Sequence, residues 1–184
     1  MLSLFTAIEI PELIRSRLTA LQAFPTPGWE AMWVPEENFH ITIAYAGEIE
    51  EPLANDLDGE LRSLRLPAFE LELKGVGAFG GARPSILYAA VAKTPALQDL
   101  HERHVRIMRR LGIDIDARKY TPHVTLARPR HAPLDAVQAW IAANNLYASG
   151  PFPVDQAVLF SSHKVGSGRH YEPEREYPFG PALL

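Results

Sequence analysis

The chain has 184 residues, of which 47% are hydrophobic and 22% charged, with a formal net charge of −4 and no cysteine. The lack of cysteine excludes disulfides, thiolate nucleophiles and Cys-based metal centres, and the negative charge argues against non-specific coating of nucleic acid. We expect residues 1–184 to form one domain that is cytoplasmic and, since nothing in the sequence marks an interface, monomeric. No segment approaches the roughly 20 apolar residues of a membrane span, and the apolar start is expected to be a buried strand and not a signal peptide.

Hydrophobic periodicity predicts helices and strands in alternation. A helix begins at Pro11 and ends before a Pro/Gly loop at 25–28, and another has Thr94 as its N-cap and Gly112 as its stop. A glycine-rich connection is expected at 75–83. The remaining predicted helices cover 52–66 and 134–144, and the predicted strands cover 4–10, 31–34, 39–46, 69–74, 85–91, 121–127, 154–160 and 170–177. This mixture of helices and antiparallel-type strands predicts an α+β fold.

One short pattern occurs twice. His40-Ile41-Thr42 and His123-Val124-Thr125 each read His, aliphatic, Thr, and each continues with an aliphatic residue and Ala inside a predicted strand. Residues two apart in a strand point to the same face, so each motif presents an imidazole and a hydroxyl together. The similar setting of both copies suggests two lobes related by a pseudo-twofold axis, with the polar faces meeting across a cleft.

Two imidazoles and two hydroxyls suit displacement at phosphorus. One His can accept a proton near neutral pH while the other donates one, and Thr42 and Thr125 can donate hydrogen bonds to non-bridging oxygens. Arg128 can add a charge-assisted contact. A cyclic 2′,3′-phosphate is a plausible substrate because its ring is strained. We expect no metal and no cofactor, since two His without nearby carboxylates lack the three protein ligands of catalytic zinc. These arguments leave open which His is the acid.

Other candidates carry weaker signals. Residues 75–80 match GxGxxG but lead into a strand, not a helix, so we interpret them as a hairpin connection. His101 and His104 are spaced for a metal pair, but no third ligand is placed beside them, and exposed helix positions are the preferred interpretation. The serines that precede or follow the predicted strands lack a nucleophile context; they are Ser161, Ser162 and Ser167. The aromatic residues Phe5, Trp33, Tyr45 and Tyr120 are expected in the core, with base stacking open for Trp33 or Tyr120.

Charge is also uneven along the chain. Between His101 and Arg130 there are eight Lys or Arg against three Asp or Glu. This excess fits either a solvated helix face or a local field that attracts an anion, and the sequence does not separate the two.

The chain resembles the RNA 2′,3′-cyclic phosphodiesterases, also called 2′-5′ RNA ligases, of the two-histidine (2H) phosphoesterase superfamily. The likeness covers nearly the whole chain and is carried by residues 4–8, 40–43, 47, 75–79, 111–113, 122–128 and 168–171. Ser3, Tyr120 and the pair Gly80-Gly81 depart from the family pattern, which bears on substrate preference more than on chemistry.

The resemblance implies a bilobal α+β fold with an antiparallel sheet in each lobe and a central groove. It implies hydrolysis of RNA 2′,3′-cyclic phosphate ends to 2′-phosphomonoesters without a cofactor. It makes His40 the proton donor to the leaving 3′-oxygen and His123 the base, with Thr42 and Thr125 on the phosphate. The alternatives are ligation or cleavage of a 2′,5′ linkage, and an RNA-end binding protein without catalysis.

Overall fold

The computed structural model describes residues 1–23, 29–116, 119–166 and 168–181. The strands are β1 Leu2–Glu9, β2 Glu30–Trp33, β3 His40–Ile49, β4 Phe69–Phe79, β5 Ile86–Val91, β6 His123–Arg130, β7 Ala148–Val154, β8 Gln156–Val165 and β9 Gly168–Pro178. The helices are α1 Glu12–Ala20, α2 Glu51–Ser63, α3 Pro95–Arg110 and α4 Leu134–Asn144. Across these ranges no helix is both long enough and apolar enough to cross a membrane.

The sheet consists of two halves joined at one point. Its strand order is β7-β4-β5-β6-β3-β1-β8-β9, with β2 paired to β6, and every pair is antiparallel. Neighbouring strands share four or more residue pairs, except β3 and β6, which pair only at Ile41 and Val124. Four strands of the path lie on each side of this contact. The predicted α+β fold with an antiparallel sheet in each lobe is confirmed.

Two large apolar clusters pack the helices against the sheet. The largest includes Leu18 of α1, Trp140 of α4 and both residues of the joining pair, Ile41 and Val124, all of them at 0% exposure. A second cluster packs α2 and α3 against β1 and β3, with Leu57 at its centre. Full burial of one Val, Leu or Ile side chain contributes about 1.5–3 kcal/mol to stability. The sheet therefore has packed helices holding the joined strands in place.

Most predicted elements are present, and α4 has the predicted bounds. The Thr94 side chain accepts a hydrogen bond from the Leu97 N–H at 3.2 Å, which confirms the predicted cap. Gly112 ends α3 with φ +78°, a conformation that favours glycine. In α1 the side chains of Ile14 and Leu18 are buried, whereas Leu13 is 65% exposed. The predicted loop at 25–28 and Ser167 lie outside the described residues.

Two strand predictions were wrong. Residues 75–79, predicted as a connection, continue β4, because Gly75 forms a bulge at φ +79° and the chain resumes pairing with β5 at Val76. The segment Ala148–Val154 is a separate strand that was not predicted, and it contains Pro151 and Pro153. It is the outermost strand of its half, where a missing backbone N–H is tolerated.

Acid should destabilise the fold through His104, which is 1% exposed and bonded through Nδ1 to the Thr6 hydroxyl at 2.9 Å. Burial, with a smaller contribution from His101, lowers the pKa of His104 to about 3. In the unfolded chain His104 takes up a proton below about pH 6.5, whereas in the folded chain it does so only near pH 3. The free energy of unfolding therefore falls as the pH falls between these two values.

His104→Gln removes this titration. Between about pH 6.5 and about pH 4 we expect its unfolding free energy to fall by about 3 kcal/mol less than that of the unchanged protein. Urea unfolding at a series of pH values measures the difference. Parallel pH profiles for the two proteins would contradict a neutral, buried His104.

Candidate active site

The pairing of β3 with β6 brings the two sequence motifs together. Because the strands are antiparallel and pair at Ile41 and Val124, the register directs His40 toward Thr125 and Thr42 toward His123. Ile41 and Val124 are fully buried on one face, so the alternating neighbours share the opposite face. The result is a patch in which each imidazole stands across from the hydroxyl of the other motif.

This patch is the floor of a groove with a volume of ≈ 310 Å³. The lining residues are Phe5, Val34, Asn38, His40, Thr42, Tyr45, Ile86, His123, Thr125, Arg128, Ser162, Arg169 and Tyr171. They include two arginines and no Asp or Glu, and neither arginine forms an ion pair with a carboxylate in the described part of the chain. A groove of this composition attracts an anion. It offers no carboxylate to a metal ion, and its donor set is short of the three protein ligands typical of catalytic zinc.

Both histidines are held by the same kind of hydrogen bond to a nearby backbone carbonyl. The Nδ1 of His40 lies 2.8 Å from the carbonyl oxygen of Asn38, and the Nδ1 of His123 lies 2.8 Å from that of Thr121. A carbonyl only accepts, so Nδ1 must carry the proton in each ring. In the neutral imidazole this leaves Nε2 as the unprotonated nitrogen, available to a ligand in the groove.

Aromatic rings surround each imidazole. The His40 ring centroid lies 4.9 Å from that of Phe5 and 5.1 Å from that of Tyr171, whose ring is nearly perpendicular to the imidazole. The His123 ring centroid lies 4.9 Å from that of Phe79, which is nearly perpendicular to it, and 5.4 Å from that of Tyr88. These rings fix the imidazole planes and displace water from them.

Burial accordingly lowers the pKa of His40 to about 4, opposed by its hydrogen bond to Asn38 and reinforced by His123. The pKa of His123 is also lowered, first by burial, against the bond to Thr121, and further by the charge of Arg128. At neutral pH both rings are therefore uncharged in the free protein, and both can accept a proton at Nε2.

The hydroxyls of the two motifs are free to serve a ligand. Neither Thr42 nor Thr125 forms a side-chain hydrogen bond to another residue in the described ranges, although both line the groove. Each hydroxyl can thus donate to an anionic oxygen placed between the imidazoles.

Matching bulges turn one further residue of each strand into the groove. In β3 the pairing with β1 skips Ile43, and in β6 the pairing with β5 skips Leu126. The extra residue inverts the alternation of faces, so Tyr45 and Arg128, each five residues after its His, line the groove. Tyr45 is 52% exposed, and its expected place in the core was wrong. The signal was present: Ile43-Ala44 and Leu126-Ala127 each put two apolar residues in succession, which breaks the period of two.

Side chains from β1, from α3 and from the segment before β6 bind the carbonyls around the β3 bulge. The Tyr120 hydroxyl donates to the Thr42 carbonyl at 3.0 Å, His101 donates through Nδ1 to the Ile43 carbonyl at 2.7 Å, and the Thr6 hydroxyl donates to the Ala44 carbonyl at 3.4 Å. Backbone groups released from the ladder are thereby satisfied. The bulge is held from the side opposite the groove.

These contacts give His101 and Tyr120 a structural role behind the first motif. Their rings stack 3.7 Å apart at an interplanar angle of 2° and lie outside the groove, in a neighbouring surface depression. The structure therefore brings His40, Thr42, His123, Thr125 and Arg128 together but leaves Tyr120 behind the strand. The expected exposure of the His101/His104 pair was wrong for His104, which is buried against Thr6. Trp33 is half-buried against the large core and does not line the groove either.

The glycine-rich segment of β4 supports the second motif. A Cβ on Gly77 would lie 2.5 Å from the Tyr88 hydroxyl oxygen, so only glycine lets that ring lie flat across the strand. Tyr88 in turn stacks on Phe79 at 4.3 Å, and both rings contact His123. The GxGxxG match is thus a packing feature beside the groove and not a dinucleotide site.

Comparison with known proteins agrees with this geometry. Residues 10–166 match the model of a protein family described as the 2′-5′ RNA ligase superfamily. The chain belongs to the 2′-5′ RNA ligase superfamily. The matched range contains both His-x-Thr motifs and the strands that position them.

Curated relatives share one name. An RNA 2′,3′-cyclic phosphodiesterase of Aeropyrum pernix is 37% identical over 101 residues, which is 54% of this chain and 57% of that protein. A protein of the same name from Thermotoga maritima is 27% identical over 189 residues, covering 98% of this chain and 97% of its own.

Solved structures of similar proteins have the same fold. Escherichia coli LigT in its apo form has a TM-score of 0.79 at 22% identity, over 97% of both chains. The protein TT0787 of Thermus thermophilus has a TM-score of 0.77 at 26% identity, over 96% of this chain and 97% of that one.

Tyr120→Phe tests the support behind the first motif. The stack on His101 is retained, but the Thr42 carbonyl loses its donor, and we expect a loss of about 1 kcal/mol in unfolding free energy. If the bulge positions Thr42, turnover of a cyclic phosphate substrate should fall several-fold in kcat with little change in KM. Tyr147→Phe is the matched control, since the buried Tyr147 hydroxyl has no hydrogen-bond partner among the described residues. Equal kcat for the unchanged protein and Tyr120→Phe would contradict the positioning role.

An anion in the groove should reverse the lowered pKa of His40. A negative charge beside an imidazole stabilises its protonated form, so saturating inorganic phosphate is expected to raise the pKa from about 4 toward 6.5. Histidine ring chemical shifts measured by NMR across pH report the change, with chloride at equal ionic strength as the control. An identical titration in phosphate and chloride would contradict anion binding between the imidazoles.

Proposed function

We propose that this protein hydrolyses 2′,3′-cyclic phosphate ends of RNA or oligonucleotides to 2′-phosphomonoesters. The observation that carries the proposal is the β3–β6 register, which sets His40 across from Thr125 and Thr42 across from His123 in a groove lined by two arginines and no acid. The shared name of the Aeropyrum and Thermotoga relatives supports the same reaction. Both halves of the sheet supply the groove, so residues 1–184 act as one domain, and the reaction needs no second copy of the chain.

The reaction divides two proton transfers between the histidines. His123 accepts a proton at Nε2 from water, whose oxygen attacks phosphorus. The bond from phosphorus to the 3′-oxygen breaks, and His40, protonated at both nitrogens, gives its Nε2 proton to that oxygen. The products are a 2′-phosphate and a free 3′-hydroxyl, and exchange with solvent returns both rings to their starting states.

The assignment of His40 as the acid requires a charged ring, whereas burial favours the neutral one in the free protein. The substrate resolves this conflict, because the phosphodiester brings a negative charge next to the imidazole and raises its pKa. His123 has the charge of Arg128 beside it, which favours the neutral, proton-accepting form. The bond to Asn38 keeps the His40 Nδ1 occupied, so the proton that leaves is the one on Nε2.

Four further groove residues hold the substrate. The hydroxyls of Thr42 and Thr125 donate to the two non-bridging oxygens of the cyclic phosphate, and Arg128 adds a charge-assisted contact to the same group. The exposed ring of Tyr45 is a stacking surface for the terminal base, a role that the sequence had left open for Tyr120 or Trp33. No step requires a metal ion, because the ring strain of the substrate and the two imidazoles supply the activation.

The decisive experiment uses a short RNA with a 2′,3′-cyclic phosphate end, incubated with purified protein in EDTA. We expect a 2′-phosphate end in the unchanged protein, and a loss of about 10²–10⁴-fold in rate for His40→Ala and for His123→Ala. His163→Ala is the matched control, since His163 is exposed and does not line the groove.

Other outcomes separate the alternatives. An RNA end that stays unchanged while binding persists would favour a binding protein without catalysis. Joined RNA products would favour the ligation of a 2′,5′ linkage by the same groups. Loss of activity in EDTA that a divalent ion restores would contradict the metal-free reaction.

A further inference from the structure

A second guanidinium faces the groove from the side opposite Arg128. Arg169 is the second residue of β9, and its side chain lines the groove together with Ser162 and Tyr171. Arg128 comes from β6, in the other half of the sheet. The reaction proposed above uses Arg128 and leaves Arg169 without a role.

The Arg169 side chain is oriented toward a ligand. Its Nη1 donates to the Ser162 hydroxyl at 2.9 Å, while it forms no ion pair with a carboxylate in the described ranges. A guanidinium has five N–H donors, so the other donors are available to an anion. An exposed arginine that carries a single hydroxyl partner at the edge of an acid-free groove has the chemistry of a phosphate contact.

The backbone of Arg169 is tied to the first motif. The Asn38 side chain donates to the Arg169 carbonyl at 2.9 Å, and the Asn38 carbonyl is the group that accepts from the Nδ1 of His40. Asn38 therefore fixes both the tautomer of His40 and the position of the Arg169 backbone at the start of β9. Arg169 is in this way fixed relative to the side of the groove that receives the leaving oxygen.

The chemistry of an RNA end indicates which phosphate Arg169 meets. The terminal cyclic phosphate has only two non-bridging oxygens, and the two threonines and Arg128 already serve them. His40 protonates the 3′-oxygen of the terminal ribose, so that ribose lies on the His40 side, and its 5′ side carries the next phosphodiester of the chain. Arg169 is the cation on that side of the groove.

We propose that Arg169 binds the phosphodiester on the 5′ side of the terminal nucleotide, so that the protein prefers oligonucleotide ends to 2′,3′-cyclic mononucleotides. This subsite rests on the proposed function, because it is placed relative to a cyclic phosphate held between the two histidines. It makes Arg169 a specificity determinant and not a participant in the chemical step.

The test compares three substrates: a trinucleotide with a 2′,3′-cyclic phosphate end, the same trinucleotide with a neutral methylphosphonate at its last internucleotide link, and 2′,3′-cyclic AMP. We expect Arg169→Ala to lower kcat/KM about tenfold on the first substrate, the value of one charge-assisted hydrogen bond, and to change it less than about twofold on the other two. In the unchanged protein, the methylphosphonate should itself lower kcat/KM about tenfold relative to the natural trinucleotide, and in Arg169→Ala it should have no further effect.

Two further variants test whether the effect belongs to the Arg169 side chain. Lys164→Ala is the matched control, because Lys164 pairs with Arg169 across the same hairpin and carries the same charge but does not line the groove. Ser162→Ala keeps the charge and removes only the oriented contact, and should give a smaller, trinucleotide-specific loss. Arg169→Ala leaves the hydrogen bond from Asn38 intact, since that bond uses the backbone carbonyl of residue 169.

The outcomes distinguish the subsite from the reaction. An equal loss on all three substrates, an equal loss in Lys164→Ala, or no effect of Arg169→Ala would each overturn the subsite while leaving the hydrolase intact. Failure of the unchanged protein to hydrolyse any of the three substrates would overturn the proposed function, and the subsite with it.

Discussion

The arrangement of the groove depends on one antiparallel contact between β3 and β6. Only Ile41 and Val124 pair, yet this pair determines that each histidine faces the threonine of the other motif. A slip of one residue would turn the histidine and threonine of one strand into the core and bury these polar groups without partners. The apolar residues at the join and the helices packed beneath them therefore specify the chemistry of the face above, although none of them touches a substrate.

The two motifs hold their histidines in the same way, but the surrounding residues differ. In both, a carbonyl two residues before the histidine fixes the proton on Nδ1, and aromatic rings displace water from the imidazole. The rings around His40 come from β1 and β9, whereas those around His123 come from β4 and β5. Burial lowers the pKa of both histidines, so the proposed mechanism depends on the negative charge of the bound phosphate to favour the protonated ring of His40. A groove without carboxylates is suited to this dependence, because nothing in it competes with the phosphate for the protonated ring.

The bulges leave backbone carbonyls unpaired, and side chains from other parts of the chain offset the resulting loss of stability. An extra residue in a strand leaves backbone carbonyls outside the ladder, and unpaired buried carbonyls are destabilising. Around Ile43 three successive carbonyls accept from the side chains of Tyr120, His101 and Thr6, and Thr6 is bonded in turn to His104. The residues that resembled a metal pair or a base-stacking ring in the sequence are thus part of the support that turns Tyr45 into the groove.

The sequence alone determined the repeated His-x-Thr motif, the shared face of each pair and most helices and strands, because these depend on local periodicity and on side-chain chemistry. Tertiary structure decided what lies far apart in the chain. It placed Tyr45 in the groove, because a bulge inverts the alternation that sequence reasoning assumes. It placed Tyr120 behind the strand, where the ring stacks on His101 and the hydroxyl binds the Thr42 carbonyl. It also brought Arg169 to the rim of the groove and buried His104, because strand order and helix packing, not local spacing, determine which distant residues meet.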